Sequence, residues 1–187
     1  AVGETALTAN TTGDNNVAVG RGTLDANTTA DANTAVGQAA LGANTTGASN
    51  TGLGRAALLA NTTASFNTAV GADALTSNTT GANNTTVGYA SGDALTTGEE
   101  NLAIGSNALS AAVGSGKNTA IGAYALRNDT EGESNVAVGH QALNAQNFTT
   151  ATSAYNVAVG ANAGVSVTTA TELTLIGGLA GDAITTG

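Results

Sequence analysis

An all-β parallel solenoid is the fold class that this sequence predicts, and three observations predict it. A single phrase recurs every seventeen residues, one of its columns is Gly in every copy, and apolar residues fall in two short segments per copy with turn-formers between them. Residues 67 to 83, NTAVGADALTSNTTGAN, give the phrase in full.

Asn16, Asn33, Asn50, Asn67, Asn84, Asn101, Asn118 and Asn135 stand seventeen residues apart without slippage and mark position one of each coil. The next unit opens at Asn156, twenty-one residues on, because QNFTTATSAY carries four extra residues, and a further regular step reaches Leu173. Counting the partial first unit gives eleven coils in a single array over 1–187: regular coils in 1–134, the insertion within 135–155, and the last coils in 156–187. The chain opens on AVG, in mid-phrase and without Met, as a piece of a longer array would.

The first apolar segment precedes the invariant Gly at position five, with Val36, Leu53, Val70, Ile104 and Ile121 at position four. Segments this short, rich in β-branched residues, favour extended chain over helix. Copies stacked coil on coil would pair at ~4.8 Å, giving a rod roughly 50 Å long. Alternate residues of a strand face opposite ways, so positions two and four share one face and positions three and five the other. The Val face is the expected core; Ala69 and Gly71, and their copies, form a smooth face that another backbone could approach.

The second apolar segment centres on position nine, with Leu7, Leu24, Leu41, Leu58, Leu75, Leu109, Leu126 and Leu143. Three coils have Gly92, Gly164 or Gly181 there instead, and three residues later carry Leu95, Val167 or Ile184 where Asn is usual. Such an exchange implies that both positions point into one space whose volume must be filled. The Asn-Thr-Thr that follows, as at Asn78-Thr79-Thr80, reads as the turn back. Two or three modest apolar side chains per coil make a thin core, and a thin core beside a smooth face implies lateral association of copies.

Composition narrows the function. Aromatics are 3% and charged residues 9%, too few for an ordinary globular core, while 41% hydrophobic residues at even spacing oppose disorder. The net charge of −9, with only Arg21, Arg55, Lys117 and Arg127 as cations, argues against nucleic acid. Without Cys there is neither a disulfide framework nor a thiolate metal site, and no apolar run is long enough to insert into a membrane.

Several columns invite chemistry. The Asn column is either a carbohydrate-binding edge or a set of structural corners, and Asn suits corners because it tolerates left-handed backbone and stacks in amide ladders. Asn-Thr-Thr at 10, 27, 44, 61 and 78 matches a glycosylation acceptor, but its period is that of a turn. The Thr columns could form the flat array of an ice-binding surface. GSGKNT at 114 to 119 lacks the Gly and the Ser or Thr of a phosphate loop. His140 is the chain's one His, so it builds neither a metal site nor a nucleophile-base pair. The carboxylates Asp73, Asp93, Glu99, Glu100, Glu131, Glu133 and Asp182 fall on different repeat positions and solvate the rod. No residue is assigned to catalysis, a cofactor or a metal. Phe66 and Tyr155 share a column, and the insertion makes residues 144 to 155 the expected contact loop, with Asn147, Phe148 and Tyr155 as its candidates.

The phrase resembles the Asn-x-Ala-Val/Ile-Gly-x-x-Ala-Leu repeats of trimeric autotransporter adhesin heads and the NTTG…NTAVG arrays of bacteriophage tail fibres, over essentially the whole chain. The adhesin repeats are usually shorter than this one. The resemblance implies a left-handed parallel β-roll, a homotrimer, and a place outside a cell or on a virion. The expectation is a non-enzymatic extracellular fibre segment that takes no cofactor. Its partners would be copies of itself and a cell-surface glycan or protein receptor. An ice-binding module or a polysaccharide-degrading spike would be the alternative.

Overall fold

The computed structural model describes residues 1–186 and contains strands but no helix. The strands are β1 (Val17–Val19), β2 (Thr34–Val36), β3 (Thr51–Leu53), β4 (Thr68–Val70), β5 (Thr85–Val87), β6 (Leu102–Ile104), β7 (Thr119–Ile121), β8 (Gly132–Glu133), β9 (Val136–Val138), β10 (Thr152–Ser153), β11 (Val157–Val159) and β12 (Thr174–Ile176). All but β8 and β10 form one ten-stranded parallel sheet in chain order, and a bridge from Val2 to Val19 adds the first coil. Partners lie one repeat apart, as in Thr68 with Thr85 and Val70 with Val87, so the sequence period is the stacking step. The insertion is absorbed on another wall, where β8 and β10 pair in parallel.

The sheet's orientation corrects one expectation. Ala35, Ala69, Ala103, Ala120, Ala137 and Ala158 at position three are 0% exposed, whereas Val19 is 40%, Leu53 46% and Ile104 37% exposed. The small side chain points in and the β-branched one out. The reason is the width of the coil: a Cβ added to Gly52 at position three would already lie 3.5 Å from Leu41 Cγ. Leu at position nine spans the interior from the opposite wall, leaving room for a methyl group and nothing larger. The close approach predicted for the Gly column is real but axial, between coils of one chain. A Cβ on Gly88 would fall 2.6 Å from the carbonyl oxygen of Gly105 in the next coil, at a φ of +136° that favours Gly.

Leu24, Leu41, Leu58, Leu75, Leu109, Leu126 and Leu143 are buried completely, against alanines at positions three and eight such as Ala40, Ala57 and Ala74. These leucines adopt left-handed backbone, with φ of +49° to +55° at Leu24, Leu58 and Leu126. That conformation costs about 1–2 kcal/mol per residue, and full burial of Leu returns about 2–3 kcal/mol, so burial wins.

The predicted volume exchange holds. Leu95 and Val167 are 0% exposed, and Ile184 packs against the core. A further member of the exchange is Thr86 at position three, in the same coil as Gly92: its Cγ2 would sit 3.1 Å from a Cβ on that glycine. Leu175 does the same beside Gly181, with its methyl carbons 2.8 and 2.9 Å from the added Cβ.

Candidate functional site

The position-one Asn column is structural throughout. Asn67 accepts from the backbone N–H of Asn84 at 2.9 Å and donates through Nδ2 to the Gly81 carbonyl at 2.8 Å, and the same pair of bonds recurs from Asn33 to Asn84. Each side chain therefore closes its own coil and ties it to the next. The residues from Asn33 to Asn156 in this column are buried, so no carbohydrate can reach them.

The Asn of Asn-Thr-Thr forms a second ladder, in which Asn27, Asn44, Asn61 and Asn78 each donate to the Oδ1 of the preceding member at 2.8 to 3.1 Å. All four are 0% exposed, which removes them as glycosylation acceptors in the folded chain. The ladder stops at Leu95 and leaves Asn78 Oδ1 buried without a partner, so the subtype exchange costs one hydrogen bond. Asp129 resumes the column. It accepts from Gln146 Nε2 at 2.6 Å, Phe148 N at 2.9 Å and Gly132 N at 3.1 Å. Burial pushes its carboxyl above the usual carboxylate range, and these three bonds oppose the shift without cancelling it.

The insertion does not form a contact loop as a whole. Phe148 is only 8% exposed, held over Asp129 with its carbonyl accepting from Glu131 N and Thr130 Oγ1 at 2.8 Å each. It closes the wall of the coil and is not available to a receptor. Asn147 is exposed with its N–H tied to Thr168, and Tyr155 is 59% exposed.

The Thr pairs divide. The first of each pair spends its hydroxyl on the coil above, as in Thr28 to the Thr45 carbonyl at 3.2 Å and Thr45 to the Thr62 carbonyl at 3.0 Å. The second, Thr29, Thr46, Thr63, Thr80 and Thr97, is exposed as a single file. This file breaks at Gly114, where Gly114 and Gly116 open a depression of about 290 Å³ rimmed by Thr97, Glu99, Glu100, Lys117 and Glu133. Among the described residues no group of three or more His, Asp or Glu side chains is placed to hold a metal.

The broadest feature is the outer face of the ten-stranded sheet. It carries two parallel files, position two with Thr34, Thr51, Thr68, Thr85, Thr119 and Thr174 interspersed with Val17, Leu102, Val136 and Val157, and position four with Val, Leu or Ile in every strand. At ~4.8 Å per strand and ~7 Å between the files, the two files span about 300 Å². That is the size of the largest patches soluble monomers leave open, and such patches are often functional. Comparisons with family models, with curated proteins and with solved structures find no match to this chain.

Proposed function

We propose that the chain is a stretch of an extracellular fibre, a stiff solenoid rod that associates laterally with copies of itself through the outer sheet face and presents attachment surfaces along its length. The observation that carries this reading is the unbroken file of outward Val, Leu and Ile at position four, with Ile176 71%, Leu53 46% and Val159 36% exposed. A wall built to stay in water would place polar residues there, as the Thr file on the other wall does. Burying the file against other copies thickens a core that in one chain is a single layer of Leu and Ala. Three copies are what the resemblance to trimeric adhesin heads implies.

The rod needs no chemistry of its own. Parallel strands bonded coil to coil resist bending, and the buried amide ladders prevent slippage between coils, so a load along the axis is shared by every coil. Static light scattering on the folded chain tests the assembly: a particle three times the 17.8 kDa of one chain is expected, and a monomer at micromolar concentration refutes it.

The same face supports a second reading. Thr34, Thr51, Thr68 and Thr85 run beside Val36, Leu53, Val70 and Val87 on a flat sheet, a regular Thr/Val array suited to an ordered water surface. Thermal hysteresis that Thr51→Lys and Thr68→Lys abolish would favour ice binding, and its absence in the unaltered chain removes it.

A further inference from the structure

The turn that leaves the sheet, positions six and seven, forms a ridge along the rod, and two tyrosines, the histidine and Arg127 gather on one stretch of it. Tyr89, Tyr124 and His140 are the only aromatic side chains at these positions in any coil; they include two of the three tyrosines and the sole histidine. Hydrogen bonds between successive coils place them together: Asn107 N donates to the Tyr89 carbonyl at 2.9 Å, and Tyr124 N to the Ser106 carbonyl at 3.0 Å. Tyr124 meets His140 edge to face, with centroids 6.1 Å apart and planes at 88°. The Arg127 guanidinium carbon lies 5.2 Å from the Tyr124 centroid. Between the two tyrosines, Asn107 Nδ2 donates to Ser106 Oγ at 3.0 Å, a polar step one coil wide.

The side chain, not the backbone, sets Tyr124 apart. Its φ of +60° is shared by the whole column, where other coils carry Ala39, Asp73, Asn107, Gln141 or Asn162 in the same left-handed region. Tyr124 is the one aromatic in that column, partly buried and outside the core. Its ring packs on His140 and Arg127 along the rod's surface and contributes nothing to the interior.

We propose that this ridge, from Tyr89 to His140, binds a neutral oligosaccharide chain lying along the rod axis. The Tyr89 ring, 59% exposed, offers a flat apolar face for the C–H face of a pyranose, Tyr124 extends it with the ring surface that Arg127 leaves open, and Ser106, Asn107 and His140 offer donors and acceptors for the sugar hydroxyls. Polar groups recur at each coil step of ~4.8 Å, which suits an extended polymer of sugar units better than a compact molecule. The ridge has no enclosing walls, again unlike a small-molecule site. An anionic glycan is disfavoured, because the chain carries a net charge of −9 and the single Arg of this stretch already stacks on Tyr124.

The inference rests on reading the rod as an attachment fibre, and the two fail separately: a monomer in light scattering sinks the assembly alone, and a silent ridge sinks only the glycan assignment. The test is binding of the full chain to a printed array of neutral and anionic glycans with an extended peptide included, followed by titration with the strongest glycan. A neutral glycan is expected to bind, with affinity reduced tenfold or more in Tyr124→Ala and in Tyr89→Ala and unchanged in Phe66→Ala and Tyr155→Ala. Ala is native at the Tyr124 column in other coils, so an unaltered circular dichroism melt should accompany the Tyr124→Ala loss. Silence of every neutral glycan, binding of anionic glycans or the peptide alone, or loss of binding in the Phe66 or Tyr155 variant would each overturn the proposal.

Discussion

Replacing Asn67 by Ala removes one rung of the position-one column and exposes what the column does. The substitution deletes the acceptor of the Asn84 N–H, a 2.9 Å bond in a fully buried corner, and no other acceptor is present for that amide. It also deletes the donor to the Gly81 carbonyl, but that oxygen keeps its 3.0 Å bond from Asn78. One fully orphaned donor and one half-satisfied acceptor amount to a loss of about 2–4 kcal/mol.

Solenoids do not always unfold in one step, so the urea midpoint alone is a coarse reading. Hydrogen exchange at the Asn84 amide reports the rung itself, and its protection should fall in the variant while that of Thr34, three coils away from it, is kept. Asn67→Asp sharpens the argument. It retains the acceptor for Asn84 but sets a carboxylate oxygen against the Gly81 carbonyl, so burial and that contact raise its folded pKa. The stability it keeps is present at low pH, where the acid can donate, and is lost as pH rises through the raised pKa. A loss below ~0.5 kcal/mol for Asn67→Ala, within the range of ordinary surface changes, would refute the column as a structural device, as would pH-independent stability of Asn67→Asp.

Further expectations concern the exchange and the buried acid. Leu95→Asn alone should cost about 2–4 kcal/mol by opening the interior next to Gly92. Adding Gly92→Leu together with Thr86→Ala, which clears the methyl 3.1 Å from a Cβ on Gly92, restores the common coil, in which the new Asn partners Asn78 Oδ1; a mutant cycle should show these two changes recovering most of the loss, and additive costs would contradict a shared volume. For Asp129, whose pKa burial raises, folding favours the protonated acid, so its contribution is fullest below the unfolded carboxyl pKa and declines as pH rises through the folded value. The melting temperature of the natural chain minus that of Asp129→Asn should therefore fall as pH rises from below the ordinary carboxyl range to neutral; a rise would mean that the hydrogen bonds from Gln146, Phe148 and Gly132 outweigh burial.

Much of the architecture was legible in the sequence because a solenoid repeats its physics at the spacing of its coils. The Asn and Gly columns gave the register, and Leu75 with its copies gave the core. The linked change at Gly92 and Leu95 revealed a shared interior. What periodicity of two could not settle was which face of Thr68-Ala69-Val70 points inward. Hydrophobicity favours Val, but the inward choice is set by interior width, fixed from across the coil by leucines in a left-handed conformation that no local propensity announces. A signal was present, since the only larger residues at position three, Thr86 and Leu175, occur in coils that have lost Leu at position nine. The candidate surfaces were less legible. Phe148 reads as a loop aromatic in the sequence, and only the fold sets Asp129 beneath it. Tyr89 and Tyr124 come to the same side of the rod, two coils apart, only when the coils are stacked.

The central claim is that the outer sheet face joins one copy to another, and a chain without Cys permits a direct measurement. Val87→Cys places a thiol at position four on that face, and Thr80→Cys places one in the exposed Thr file of another wall. With a short bifunctional thiol reagent at micromolar protein, Val87→Cys is predicted to give covalent chain pairs in high yield while Thr80→Cys stays single. Cross-linking through Thr80→Cys, or none through Val87→Cys, would contradict the account.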